Sequence, residues 1–244
     1  MASVNLVYNT LKDLANKEQR GFITPAVFDN FAQLAQLNVF KDILQRIQKG
    51  KSLRSRGVDG ARHQSMVTQA QTDLSALSKT SVLTQADGVF AKPEDMAYLI
   101  GLTTNGSVIL GQSTRTPIEI LYDEDKIDYI LKSDLMAPNE SHPVGLMSDQ
   151  IEVFPGSIKK IRVTYYKYPQ GLSATTGART ASVPTFGYTT VNGIEIFNPT
   201  TSVDFELPDH YVPELVTEMA KLVGINLRDS DVFSYAQAEQ QTKG

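Results

Sequence analysis

KIRVTYY, residues 160–166, alternates without a break: Ile161, Val163 and Tyr165 step against Lys160, Arg162, Thr164 and Tyr166. Period two with apolar residues on one side is the pattern of a strand with one core face and one wet face. A second alternation, Val203, Phe205 and Leu207 against Asp204 and Glu206, is predicted to pair with it, which would set Lys160 and Arg162 across from the two carboxylates. Between them, Thr189 to Ile196 is predicted to be a hairpin about Asn192-Gly193, the dipeptide that accepts the positive φ angles of a tight primed turn. Val108–Leu110, Ile118–Leu121 and Ile151–Phe154 are further short apolar runs bounded by Gly, Pro and Asn, so residues 89–207 read as a β-rich core.

The flanks have helical period. Val4, Val7, Leu11 and Leu14 make one stripe that Gly21 breaks. Thr24-Pro25 then supplies an N-cap and a first helical residue, with Ile23 and Phe28 placed as a staple around the cap. Phe28, Phe31 and Ala35, then Phe40, Ile43, Leu44 and Ile47, continue the stripe as one bent helix or two, with Gly50 as the expected stop. At the other end Leu215, Val216, Met219, Leu222 and Val223 predict a helix from about Pro213 to Leu227, and Ser230 or Asp231 would cap a last polar helix. The expected fold class is α+β: N-terminal helices, a central mainly antiparallel sheet with the Asn-Gly hairpin, and a C-terminal helix. The expected divisions are a helical segment 1–50, a basic and polar connecting region 51–88, the β-rich core 89–207 and a helical segment 208–244.

In the connecting region, residues 49–63 hold Lys49, Lys51, Arg54, Arg56 and Arg62 against Asp59, a local charge of +4, with three Gly and no apolar period. They read as a mobile basic loop. The polar stretch 64–88 has Leu74, Leu77 and Val82 as its expected anchors. Segment 170–182 is small and polar after Leu172 and is expected to order only on binding, because it has too little apolar surface to offset its own entropy.

Composition narrows function. The 244 residues contain no Cys, which removes thiol catalysis, Cys-ligated zinc, iron–sulfur clusters and disulfides. Lys and Arg number 23 against 27 Asp and Glu, a net charge of −4, so nucleic-acid binding is not announced by bulk charge. No apolar run approaches a membrane span and the start lacks a signal-peptide plan, so the chain reads as soluble, made inside the cell and without a membrane partner. Gly106 to Ser113 has phosphate-loop spacing, yet Gln112 stands where a Lys would neutralise phosphate. The acidic run from Tyr122 to Asp128 fails the EF-hand template, with Asp128 where Gly is needed and Asp134 where Glu is needed, and reads as a helix start whose dipole favours acids. His63, His142 and His210 have no metal-ligand or triad spacing. No catalytic residue, cofactor or metal is therefore expected. The basic loop is the one charge feature with a functional reading, and no aromatic residue is interleaved there to stack bases.

Four stretches together carry a resemblance: NKEQRGFITPAVFDNFAQLAQLNVFKDIL (16–44), TPIEILYDEDKIDYILKSDLMAPNESHPVG (116–145), IEVFPGSIKKIRVTYYKYP (151–169) and DFELPDHYVPELVTEMAKLVGINLRD (204–229). They resemble structural proteins of short-tailed, crAss-like bacteriophages. The last two are also similar to head-to-tail connector and adaptor proteins, in which a strand ending Tyr-Tyr-Lys-x-Pro and a Phe-Glu-Leu-Pro lead into a helix recur. The resemblance implies a non-enzymatic virion protein of the portal–tail region that forms a ring, expected to be twelve-fold, and extends the channel for DNA packaging and ejection. Its implied partners are further copies of itself, the portal protein, neighbouring tail or ring proteins, and genomic DNA passing through the lumen without sequence specificity. A closed ring needs two different complementary faces on each copy. Lys49, Lys51, Arg54, Arg56 and Arg62 then face either the acidic run of a neighbour, with Asp123, Asp125 and Asp128, or the DNA in the lumen. The protein partner is favoured, because dense cations would hold DNA that must slide. The rivals are a DNA-binding accessory protein using residues 49–62, and a hydrolase with a site assembled from scattered carboxylates such as Asp125 and Asp128.

Overall fold

A computed structural model describes residues 1–17, 23–55, 61–106, 108–109, 112–113, 115–133, 135–169, 183–192 and 194–226. In chain order the elements are α1 (Val4–Lys17), α2 (Pro25–Ser55), α3 (Ala61–Asp73), β1 (Ser78–Thr84), β2 (Val89–Phe90), β3 (Met96–Thr104), β4 (Val108–Ile109), β5 (Gln112–Ser113), β6 (Glu119–Leu121), α4 (Glu124–Leu131), β7 (Val144–Met147), β8 (Ile151–Phe154), β9 (Lys160–Lys167), β10 (Tyr188–Val191), β11 (Ile194–Phe197) and α5 (Val212–Asn226). The fold is α+β, helical at both ends with a largely antiparallel middle. It divides into two compact units, one made of 1–76 with 169–244 and the other of 77–168.

The first unit is helical and draws on both chain ends. The Thr24 cap forms as expected: its Oγ1 accepts the Val27 N–H at 3.3 Å and its carbonyl accepts the Phe28 N–H at 3.0 Å. α2 packs on α3 and α5, and α1 packs on α5. Of the predicted stripes, Val4, Val7 and Leu11 of α1, Phe28, Ala35, Phe40, Ile43 and Ile47 of α2, and Leu215, Met219 and Val223 of α5 are buried, while Leu14, Phe31, Leu44, Val216 and Leu222 are half-buried. Tyr8 meets Phe28 edge-on at 5.2 Å and Phe186 at 4.0 Å, and Phe186 meets Phe197 of the hairpin at 5.4 Å, so an aromatic cluster ties hairpin to helices. The hairpin pairs Tyr188 with Phe197 and Val191 with Ile194, and Asn192 has φ 52° as its turn requires. At Gly187 a Cβ would lie 2.6 Å from the Thr201 carbonyl carbon and 2.7 Å from the Ser202 nitrogen, so only glycine permits that backbone approach.

Two expectations for this unit fail. Gly50 does not stop α2, which runs on to Ser55. A Cβ at Gly50 would collide with the Val67 side chain of α3, so its role is close approach of two helices rather than termination. Residues 203–207 are not a strand beside 160–166. Val203 makes one bridge to Thr185, Phe205 and Leu207 are wholly buried, and Asp204 Oδ1 accepts the Val4 N–H at 2.9 Å, capping α1 from afar. The Glu206 N–H goes to Gln36 Oε1 at 2.8 Å, and Gln36 is itself buried in α2. The alternation was real, but it belongs to an extended segment whose apolar residues enter a helical core.

The second unit contains two sheets, β1-β9-β3 and β2-β8-β7-β6, and a ribbon of β4 and β5. β9 alternates as read as far as Tyr165, with Ile161, Val163 and Tyr165 buried, but Tyr166, expected on the wet face, is buried as well, and the strand's neighbours are β1 and β3, both antiparallel. Arg162 therefore sits opposite Val82 and Thr103, not Asp204 or Glu206. Phe90, Met96, Leu102, Ile118, Ile151 and Val153 complete this core with the inward residues of β9. β1 was hidden in sequence for a definite reason: its positions opposite Ile161, Val163 and Tyr165 are Leu83, Ser81 and Lys79. Val82, an expected anchor, points to the wet side and is 48% exposed, whereas Leu83 packs on the core. β6 and β7 pair in parallel, a geometry that needs a crossover, and α4 supplies it.

Candidate functional site

The crossover helix α4 is the element around which the sequence-predicted acidic residues gather. Asp123 stands at its N-cap with extended backbone (φ −116°, ψ 113°), and Glu124 and Asp125 fill its first turn, where the helix dipole favours negative charge. Ile127 alone among its side chains is buried, against Val144 and Leu146 of β7 with Leu121 and Phe154 alongside. With one residue holding it down, the rest of the helix is free for other contacts. Asp125, Asp128, Tyr129 and Lys132 follow three- and four-residue steps and share the outward face.

The exposed apolar residues are what sequence reading did not pick out here. Tyr122 is 73% exposed, Tyr129 77%, Leu135 96% and Met136 65%, with Leu131 also exposed. Five large apolar side chains open to solvent in the stretch 122–136 contrast with the scattered single exposures that are normal on a protein surface. Tyr and Met are also residue types enriched at protein interfaces. The signal was present in the sequence as Tyr122, Tyr129 and the Leu135-Met136 pair, but periodicity alone does not say that a helix has a single buried residue. The local ion pairs are weak: Lys126 to Asp123 and Lys132 to Asp128, both at 3.6 Å between exposed groups. Glu124 and Asp125 have no ion-pair partner among the described residues.

The basic set lies on the other unit, and the expected loop is largely helix. Lys49 is exposed near the end of α2, Lys51 and Arg54 belong to the last turns of that helix, and Arg62 belongs to the start of α3. Arg56 lies outside the described residues, as do segment 170–182 and the expected last helix after 226. Helix wins at 49–55 and 61–63 because Lys, Arg and Gln are adequate helix formers and the Gly50–Val67 approach locks α2 against α3. The structure thus gathers the three aspartates on one helix and keeps the cations on a different unit.

Two polar clusters were missed by sequence reading. In the helical unit, buried Asp73 accepts Tyr211 OH at 2.9 Å and Gln69 Nε2 at 2.9 Å, and His210 Nε2 lies 3.1 Å from it. Burial and the Asp73 carboxylate push the Tyr211 hydroxyl well above the ordinary tyrosine value. In the β unit, Asp95 accepts Lys79 Nζ at 2.7 Å and Tyr165 OH at 2.8 Å, with Ser81 Oγ 3.4 Å from that hydroxyl. Burial raises Asp95, but the hydrogen bonds from Lys79 and Tyr165 outweigh it and hold the carboxyl below its usual range. Each cluster joins a helix end or a sheet edge to a distant segment and uses both carboxylate oxygens to do so. Their residues are 70 and 138 positions apart in the chain, beyond the reach of any motif.

No protein-family model matches the chain, and no curated protein matches it. Among the described residues there is no group of three or more His, Asp and Glu suited to hold a metal ion, and no helix long and apolar enough to cross a membrane.

Proposed function

We propose that the protein is a structural subunit of a bacteriophage virion that closes into a ring between portal and tail and extends the channel for DNA. The observation that carries this reading is the exposed apolar surface of residues 122–136, set among the carboxylates of α4. A face of that kind is built for another protein rather than for water. The cationic stretch 49–63 is the proposed second, unlike face that head-to-tail closure demands. The likeness of 16–44, 116–145, 151–169 and 204–229 to structural proteins of short-tailed, crAss-like phages, and of the last two stretches to head-to-tail connector and adaptor proteins, supports the same reading. The partners proposed are further copies of the chain, the portal protein, adjoining ring or tail proteins and the passing genome, and the proposed location is the virion.

Light scattering behind a sizing column, on the protein alone and after mixing with portal from the same particle, tests it. A mass of several copies, or a portal-bound complex, is the expected result. A monomer that ignores the portal would overturn the reading.

A further inference from the structure

We infer that the 122–136 surface of one copy receives the cationic end of α2 and start of α3 of the next copy, so that this pair of faces is the repeating contact of the assembly. The inference rests on the ring reading above and deepens it by naming which surfaces meet. Residues 119–128 hold Glu119, Asp123, Glu124, Asp125 and Asp128 against Lys126, a local charge of −4. The described residues 49–55 and 61–63 hold Lys49, Lys51, Arg54 and Arg62 and no carboxylate, a local charge of +4. The two segments match in magnitude and oppose in sign, while the whole chain is only −4. The acidic rim also excludes DNA as occupant of this face, since phosphate and carboxylate repel.

The physical division of labour is clear. Charge complementarity sets approach and register, and like charges brought together by a wrong pairing are costly. Tyr122, Tyr129, Leu135 and Met136, all more than 60% exposed, supply the apolar area that water leaves on contact. Asp125, Asp128 and Tyr129 share the outward face of α4 at three- and four-residue steps, so acidic and apolar groups are presented together on it. On the other side, α2 continues through Gly50 to Ser55, so the backbone of Lys49, Lys51 and Arg54 stands on a helix rather than in a floppy loop. Less ordering entropy is then lost on contact.

Charge exchange on the full chain tests this. One variant carries Glu124→Lys, Asp125→Lys and Asp128→Lys, which turns the local charge from −4 to +2 and leaves Asp123 in place; the other carries Lys49→Glu, Lys51→Glu and Arg54→Glu, which turns +4 to −2. Each alone is expected to lose self-association by at least tenfold, in solution or on the portal. An equimolar mixture is expected to assemble again, because every contact between unlike variants restores opposite charge. Leu135→Ser, at a side chain almost fully in solvent, is expected to weaken assembly without altering far-UV circular dichroism. Wild-type chains that assemble while all three variants assemble equally well would overturn this contact and leave the ring reading standing. Loss of assembly in the α4 charge variant alone would also overturn it, assigning the α4 surface to the portal or another ring protein. Wild-type chains that assemble neither alone nor on the portal would sink both.

Discussion

The two units of this chain reach stability by different routes. The helical unit is stitched from the chain's two ends: the Ala2 N–H reaches the Leu207 carbonyl at 2.7 Å, the Phe205 N–H reaches the Ala2 carbonyl at 3.1 Å, and Asp204 caps α1. Its core is wide and apolar, and its buried polar groups, such as Gln36 and the Tyr211–Asp73 pair, each satisfy a particular distant partner. The β unit is one continuous segment, 77–168, with short strands and a smaller core centred on Tyr165 and Phe90. Its β1 edge is held partly by a polar network around Asp95 in place of apolar contact. The comparison shows why the same alternating pattern had two outcomes. At 160–166 both edges were paired by strands of the same unit, β1 and β3; at 203–207 the neighbours were helices, and the segment was used to plug and cap them.

Truncation of each core is the strongest way to separate the units. Phe28→Ala removes a wholly buried ring and is expected to cost about 3–5 kcal/mol, raising hydrogen exchange in α2 and α5 while β9 stays protected. Phe90→Ala should do the reverse, speeding exchange in β8 and β9 first. If either change unprotects both regions together, the chain unfolds as a single unit and the comparison fails.

A smaller effect is expected at Gly187. Its Cβ would press on the Thr201–Ser202 backbone, so Gly187→Ala should destabilise the helical unit by about 1–3 kcal/mol in a denaturant titration. An unchanged midpoint would mean that the segment carrying Phe186 yields easily, and that the aromatic cluster does not depend on this approach.

Acid should act on the β unit through Asp95, whereas alkali acts on raised tyrosines in both units, Tyr8 and Tyr211 in the helical one and Tyr166 in the β one, with the smallest effects of the three tests. Asp95 is held low, so its stabilisation is complete above the ordinary carboxyl range near pH ~4 and is lost as pH falls through its lowered value. Tyr8 is pushed up to about 12, by burial first and then by the nearby Glu195 and Asp29. Tyr211 is raised as well, so the helical unit keeps this stability below the ordinary tyrosine value of ~10 and loses it as pH climbs through the raised values. Tyrosinate absorbance should therefore lag in Tyr8 and Tyr211 until the helical unit opens. At low pH, exchange should quicken first in β1. Lys79→Ala should remove most of that acid sensitivity and cost under ~1 kcal/mol at neutral pH, since the Lys79 side chain is half exposed.

Much of the fold was legible because local rules sufficed. The Thr24-Pro25 start, the helices α1 and α5, the β9 alternation as far as Tyr165 and the Asn192 turn depend on residues within a few positions of one another, and each forms as read. The acids of α4 were legible as a helix start for the same reason. The apolar half of the candidate interface was not, because Tyr122, Tyr129, Leu135 and Met136 resemble core residues until the fold shows that Ile127 alone is buried.

What the sequence determined by itself was therefore the set of elements whose cause is local: caps, turns, periodicity and the clustering of charge along the chain. Tertiary structure alone decided three things. It placed Lys79 and Ser81 on the inward side of β1, it kept α2 helical through Gly50, and it sent Phe205 and Leu207 into a helical core. In each case the deciding contact lies far along the chain, with Tyr165 and Asp95, with Val67, or with Ala2, so its free energy exists only once distant segments have met.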